Sequence, residues 1–172
     1  MKEAIETAFP QVITGSCLET EKASSFNIFD SETEPKRCFI RKSEEEPRHF
    51  EVVNPSLKEI HFLAIDKCIL TDSDSAHCDC AIFDDKQFSF LEISESKKLQ
   101  RNEKRKRARI QLGQTIQHFR SKGISFMESP NAIICFVGKN VYPARTSSNN
   151  EARLDFFEDW TAILMEGNQI EF

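Results

Sequence analysis

The sequence predicts a mixed α/β fold in which an antiparallel hairpin lies inside a central sheet and one long helix crosses that sheet. Short segments rich in β-branched and aromatic residues, typical of strands, occur up to residue 93. The apolar residues then follow a helical period between Ser96 and Gly123, and a further apolar strand follows. A chain of 172 residues, 39% of them hydrophobic, is the size of one globular domain.

The first part of the chain divides at about residue 36. Residues 1–36 are mostly polar and acidic and keep no apolar period, so we expect a loosely structured lead-in with at most one short helix. A single α/β domain is expected over residues 37–172. Its first strands are predicted at 38–41 and 50–53, and the nearly continuous apolar run at 60–70 predicts a strand covered on both faces.

The second part of the chain holds the hairpin and the long helix. Strands predicted at 78–83 and 88–93 are separated by a four-residue polar segment suited to a hairpin turn. The helix, of about four turns, is expected to bury one face and to end near Gly123. Its predicted buried residues are Ala108, Leu112, Thr115, Ile116 and Phe119. A strand at 132–137, a loop at 141–150, a short helix at 153–161 and a strand within 163–172 complete the prediction.

Composition excludes several classes of protein. No two of the five glycines lie closer than ten positions, so neither a Walker loop nor a dinucleotide-binding fingerprint is present. The longest apolar run is far shorter than the roughly 20 residues of a membrane span, and the N-terminus has no apolar core of a signal peptide. The six cysteines are too sparse for a disulfide scaffold, which predicts a reducing, cytoplasmic setting.

The hairpin places two acidic residues opposite each other. If its loop centres on Asp85 and Lys86, paired positions sum to 171, and Asp79 faces Glu92 on one side of the sheet. Like charges placed opposite each other destabilise a sheet, and a divalent cation would neutralise them. Two carboxylates with a main-chain carbonyl and water form a site that suits Mg²⁺ or Mn²⁺. The alternative is that both acids point into solvent at the strand ends.

Other candidate ligands have simpler explanations. Cys78 and Cys80, with His77 nearby and Cys68 further away, lack the paired spacing of a zinc site, so buried thiols are the better interpretation. Three further aspartates could extend the acidic site, although a role as turn caps or solvated loop acids is the better interpretation. These are Asp66, Asp72 and Asp74.

A strongly basic segment begins the predicted helix. Eight of the 23 basic residues lie within 13 positions, opposed only by Glu103: Lys97, Lys98, Arg101, Lys104, Arg105, Lys106, Arg107 and Arg109. The segment is either a solvated helix face or a contact surface for an anion such as nucleic acid. If a polyanion binds this acidic protein, this segment is where it makes contact.

These residues resemble the PD-(D/E)xK restriction-endonuclease-like phosphodiesterases. The resemblance covers residues 60–138, with Asp79 on one strand, Glu92-Ile93-Ser94 on the next, and a helix that contains Gln111 and Gln114. It implies that Asp79 and Glu92 bind Mg²⁺ or Mn²⁺, that Ile93 offers its carbonyl oxygen, and that a helix glutamine assists. It also implies a nuclease acting in DNA repair or in defence against foreign DNA.

One position departs from this pattern, because the motif lysine is replaced by Ser94. Serine supplies no cation to stabilise an attacking hydroxide. Lys97, Lys98 or Lys104 could reach back from the start of the helix. Three hypotheses therefore stay open: a metal-dependent nuclease, an inactive nuclease-fold protein that binds nucleic acid or a larger protein, and an interaction domain whose basic helix docks on an acidic partner.

Overall fold

The structure, a computed structural model, describes residues 1–41, 48–71, 73–95, 98–138, 140–146 and 149–172, except for the side chain of Lys98. Four α-helices lie within these residues: α1 (Lys2–Ala8), α2 (Gln11–Thr14), α3 (Arg101–Ser121) and α4 (Asn150–Trp160). The strands are β1 (Leu18–Glu21), β2 (Ser25–Asp30), β3 (Cys38–Arg41), β4 (Phe50–Val53), β5 (Ile60–Ala64), β6 (Cys80–Phe83), β7 (Phe88–Ser94), β8 (Asn131–Phe136), β9 (Arg145–Thr146), β10 (Ile163–Glu166) and β11 (Gln169–Glu171).

Two sheets organise these strands. The larger sheet has the order β1-β5-β6-β7-β8-β10-β9, and the smaller has the order β11-β4-β2-β3. Strands β6 and β7 form an antiparallel hairpin, whereas β7 and β8 are parallel and are joined through α3. The predicted mixed α/β class and the hairpin inside the sheet are confirmed.

The larger sheet is the middle layer of three. On one face, Leu63, Phe83 and Phe90 pack in a cluster with residues of the helices. On the other face, residues such as Phe62 and Leu91 pack against the smaller sheet. Because side chains alternate between the faces of a strand, a strand buried on both faces reads as continuous apolar sequence.

Helix α3 buries the predicted residues and ends as expected. Ala108, Leu112, Thr115, Ile116 and Phe119 are all buried. Gly123 has a φ of 83°, a left-handed conformation that glycine adopts easily, and the N–H of Ile124 donates to the carbonyl of Phe119 at 3.1 Å. The helix is longer than predicted, with 21 residues.

Residues 1–36 are more ordered than the sequence suggested. They contain two helices and two strands, and β1 pairs with β5 over four residues. Ile5, Phe9 and Val12 are buried in the helix-side core. These elements are too short for a hydrophobic period to show in the sequence. Strand β5 is shorter than predicted, because the chain turns at Lys67, whose φ is 57°.

Two cysteines form a disulfide. Cys17 and Cys68, 51 positions apart, are bonded, and Cys38, Cys78, Cys80 and Cys135 are free and buried. Disulfides persist in oxidising compartments, so this bond argues against the predicted cytoplasmic setting. Spacing alone could not reveal the pair. Among the described residues no helix is long and apolar enough to cross a membrane.

Candidate functional site

The hairpin register is the predicted one, although its first strand is shorter. Phe83 pairs with Phe88 and Ala81 with Phe90, so paired positions sum to 171. Strand β6 begins at Cys80, so Asp79 lies just before it. Asp79 therefore does not continue the ladder with its backbone, as the prediction of a strand from residue 78 required.

Asp79 is instead held by hydrogen bonds to neighbouring segments. Its side-chain Oδ2 accepts from the backbone N–H of Ile93 at 2.5 Å. Its carbonyl oxygen accepts from the N–H groups of Ile65 and Asp66 at 2.9 and 3.1 Å. Because the N–H and C=O of a strand residue face the same neighbour, the Ile93 carbonyl is also directed toward the side of β7 where Asp79 lies. These contacts fix the carboxylate beside the end of β7.

Glu92 is a buried carboxylate with an unused oxygen. It is 8% exposed, and its Oε2 is buried without a hydrogen-bond partner. An unpartnered buried oxygen of this kind costs free energy and requires an explanation. The interpretation that both acids splay into solvent is therefore wrong for Glu92.

The electrostatics of these acids reflect their burial and proximity. Burial, followed by the charge of Asp79, raises the pKa of Glu92 well above its ordinary value, and a hydrogen bond from Gln111 opposes this rise. Burial and the charge of Asp30 raise the pKa of Asp79 in the same way. Burial also raises the pKa of Asp30 itself. A bound cation would favour the ionised forms of all three.

A cavity of about 280 Å³ lies at this end of β7. It combines acidic groups, two cations from α3 and a histidine. Its lining residues are Asp30, Glu32, His49, Glu92, Ile93, Ser94, Glu95, Lys104, Arg107, Ala108 and Gln111. Asp30, which ends β2, and His49, which precedes β4, were not predicted as site residues from the sequence. No periodic pattern connects either residue to the hairpin.

The two helix glutamines have different positions. Gln111 lines the cavity and donates from Nε2 to the backbone carbonyl of His77 at 3.0 Å. Gln114 is half-buried and does not line the cavity. Of the two predicted alternatives, Gln111 is the one beside Glu92.

The basic segment is divided between several faces of α3. Lys104 and Arg107 reach the cavity. Arg105 forms a bidentate pair with Glu166, with both N···O distances 2.8 Å, and Arg101 and Arg105 lie over the ring of Phe136. Since Arg101 and Arg105 pack on the end of β8, the segment is not one continuous contact surface.

The remaining basic residues either do not line the cavity or lie outside the residues that the structure describes. Lys106 is exposed and pairs with Glu103 at 3.6 Å, and Arg109 donates to the Arg105 carbonyl at 3.4 Å. Lys97 and the side chain of Lys98 fall outside the described residues. Lys104 is thus the one of the three candidate replacement lysines that the structure places at the cavity.

The alternative metal ligands are used in other ways. Cys78 and Cys80 are free, buried thiols, and Cys68 is part of the disulfide. A hydrogen bond of 2.8 Å joins Asp66 to His77 Nε2 and raises the pKa of His77, although burial opposes this rise. The side chain of Asp74 accepts a hydrogen bond from the backbone N–H of Thr71. Asp72 lies outside the described residues. Across the described ranges, no group of three or more His, Cys, Asp or Glu side chains is arranged to hold a metal ion.

The donor set nevertheless fits a hard divalent cation that is completed by water. Asp79 and Glu92 supply carboxylate oxygens, and Oε2 of Glu92 has no hydrogen-bond partner. The Ile93 carbonyl is directed toward the side of β7 where Asp79 lies. Mg²⁺ commonly takes one or two protein carboxylates and keeps several waters. The set therefore suits Mg²⁺ or Mn²⁺ rather than zinc.

Comparisons with known proteins found no match: no family model, no curated protein and no solved structure is significantly similar to this chain.

Proposed function

We propose that this protein is a Mg²⁺- or Mn²⁺-dependent phosphodiesterase that acts on nucleic acid, with Asp79 and Glu92 as the carboxylates that hold the ion. The observation that carries this proposal is the buried, unpartnered Oε2 of Glu92 at a polar cavity, with the half-buried carboxylate of Asp79 close enough for its charge to act on Glu92. Two such groups repel each other in the apo protein, and a divalent ion offsets both the repulsion and the cost of burial.

The charge of the cavity supports a substrate that arrives with a cation. Asp30, Glu32, Glu92 and Glu95 line it, against Lys104 and Arg107. An acidic cavity repels a phosphate unless a metal ion reverses the local charge. A bound ion polarises the phosphoryl oxygen and makes a water more acidic.

The residues of the chain have distinct parts in this proposal. Asp79 and Glu92 bind the ion, and Gln111 orients the Glu92 carboxylate from α3. Lys104 and Arg107 attract the phosphates of the strand, since both are exposed cations that line the cavity. Preorganised positive groups of this kind stabilise charge that develops in the transition state.

The order of elements supports a restriction-endonuclease-like fold as part of the proposal. Strand β5, the β6–β7 hairpin, α3 and the parallel strand β8 follow one another in the order on which the resemblance depends. By analogy with that family, a function in DNA repair or in defence against foreign DNA follows.

A second candidate is a catalytically inactive nuclease-fold protein that binds nucleic acid or a larger protein partner. Ser94 favours it, because this residue is 8% exposed and lines the cavity where the family's lysine would supply a cation. The variant Ser94→Lys separates the two candidates. If it gains metal-dependent cleavage that the wild type lacks, the protein is a binding scaffold that lacks only this group.

Cleavage of labelled single- and double-stranded DNA and RNA, with and without Mg²⁺ or Mn²⁺, tests the proposal. The wild type is expected to cleave one of these substrates only with metal, and Glu92→Gln is expected to be inactive. Asp85→Asn is the matched control, because Asp85 is an exposed acid in the turn of the same hairpin. Equal activity of Glu92→Gln and the wild type would refute the assignment.

A further inference from the structure

His49 has a fixed tautomer. Its Nδ1 accepts a hydrogen bond from the backbone N–H of Asp30 at 3.2 Å. A backbone N–H can only donate, so Nδ1 carries no proton and the neutral ring carries its proton on Nε2. The smaller sheet therefore sets which ring nitrogen of His49 is the donor.

The ring is also held in place. His49 is 8% exposed, its ring centroid lies 4.6 Å from that of Phe29, and its carbonyl oxygen accepts from the thiol of Cys135 at 3.3 Å. Contacts on both the ring and the backbone limit the conformations that the side chain can adopt.

The donor nitrogen of this ring is at the cavity. His49 lines it, and Nε2 lies 3.4 Å from Oε1 of Glu95, whose side chain is 66% exposed. An exposed glutamate side chain is displaced at small cost when another acceptor arrives. The Nε2–H is therefore a donor in a fixed position, and its present acceptor, Glu95, is easily replaced.

We propose that His49 is a catalytic residue of this site, whose Nε2–H donates a hydrogen bond to a non-bridging oxygen of the bound phosphodiester. This inference rests on the proposed function and adds a contact to it. No proton is transferred: the ring stays neutral, Nδ1 keeps the Asp30 N–H, and Glu95 turns away as the phosphate enters.

His49 complements the cations of the opposite layer. Lys104 and Arg107 come from α3, whereas His49 comes from the segment before β4 in the smaller sheet. Because Ser94 supplies no cation, a neutral donor on a third element contributes to holding the phosphate beside Glu92. Burial, assisted by the charge of Arg41, lowers the pKa of His49 against the opposing charges of Glu95 and Glu32, which favours the neutral ring.

Two variants separate the donor from the structural contact. His49→Asn keeps an oxygen that can accept from the Asp30 N–H but removes the donor at the Nε2 position. His49→Gln places an amide N–H near the Nε2 position. Thermal unfolding of both variants checks that they fold.

Metal-dependent cleavage, and oligonucleotide binding with Ca²⁺ in place of the catalytic ion, are then measured for both variants. We expect His49→Asn to lose about 10²-fold in kcat and to bind the oligonucleotide more weakly, while His49→Gln stays close to wild type in both. Nitrogen NMR of the free protein should show the proton on Nε2.

The outcomes distinguish the two proposals. If the wild type cleaves and His49→Asn cleaves equally well, this inference fails and the nuclease function stands. If the wild type binds but does not cleave, the phosphodiesterase function and the catalytic part of His49 both fail, and equal binding by His49→Asn and the wild type would also refute the hydrogen bond to the phosphate. If the wild type neither binds nor cleaves any of the nucleic acids, the proposed function fails, and this inference fails with it.

Discussion

The side chain of Asp79 accepts the backbone N–H of Ile93 with an Oδ2···N distance of 2.5 Å. If the hairpin register continued, the backbone of Cys78 would pair with that of Ile93. The N–H of Cys78 donates instead to the Thr115 hydroxyl at 2.9 Å. The ladder therefore ends with a carboxylate anchored to the backbone of β7. Since Glu92 precedes Ile93, the same strand end positions both acids.

Burial of Glu92 makes the stability of the apo protein depend on pH. The pKa of Glu92 in the folded state is raised above its ordinary value of 4.5. The stabilisation that its neutral form supplies is fully present below that ordinary value and is lost as the pH rises through the folded value. The raised pKa of Asp79 acts in the same direction.

We therefore expect Glu92→Gln to have a higher free energy of unfolding than the wild type at neutral pH, in the absence of metal. The two proteins should converge as the pH falls below 4.5. Urea unfolding across this pH range measures the difference. A variant that is less stable than the wild type at neutral pH would show that the carboxylate is not under electrostatic stress.

Lys104 and Arg107 should dominate the electrostatic part of oligonucleotide binding. The double variant Lys104→Gln, Arg107→Gln is expected to bind more weakly and to lower the slope of log affinity against log salt by about 0.7–0.9 per lost phosphate contact. Lys106→Gln is the control, because Lys106 is exposed and pairs with Glu103 away from the cavity. Equal effects of the control and the double variant would favour a diffuse basic surface over the cavity.

The disulfide predicts a thiol count. Without reductant, the native protein should react slowly with a thiol reagent, because Cys38, Cys78, Cys80 and Cys135 are buried, and the unfolded protein should show four reactive thiols. Cys17→Ser should lower the free energy of unfolding by about 2–4 kcal/mol, since the bond closes a long loop. Six reactive thiols in the unreduced, unfolded protein would rule the bond out.

The packing of α3 on α4 depends on Gly113. A Cβ there would overlap the indole of Trp160, so Gly113→Ala should destabilise the protein by about 1–3 kcal/mol. At an exposed helix position, glycine to alanine would raise the free energy of unfolding by about 1 kcal/mol, so the sign of the change shows whether the contact with Trp160 is present. Gly138→Ala is the control, because a Cβ there meets nothing closer than 4.0 Å. Denaturant unfolding of both variants provides the comparison.

Local sequence patterns predicted part of the fold and part of the candidate site. The spacing of the hairpin predicted the register of β6 and β7, and the helical period predicted the buried face of α3. Gln111 was one of two glutamines that the family resemblance indicated, and the structure places it at the cavity. Asp30, His49 and the partner of Cys17 come from elements that meet the hairpin only through tertiary packing. Strands β3 and β4 of the smaller sheet lie where the sequence predicts them, but β2 lies in residues 1–36, where the short strands have too few residues to show a period, so the contribution of Asp30 to the cavity could not be predicted.

Titration calorimetry with Mn²⁺ tests the central claim that Asp79 and Glu92 hold a divalent ion. We expect the wild type and Asp85→Asn to bind one ion, and Asp79→Asn and Glu92→Gln to lose this binding while they remain folded by circular dichroism. The same ion should raise the Tm of the wild type but not of Glu92→Gln. Unchanged Mn²⁺ binding by Glu92→Gln, or no binding by folded wild type in the presence or absence of an oligonucleotide, would contradict the account.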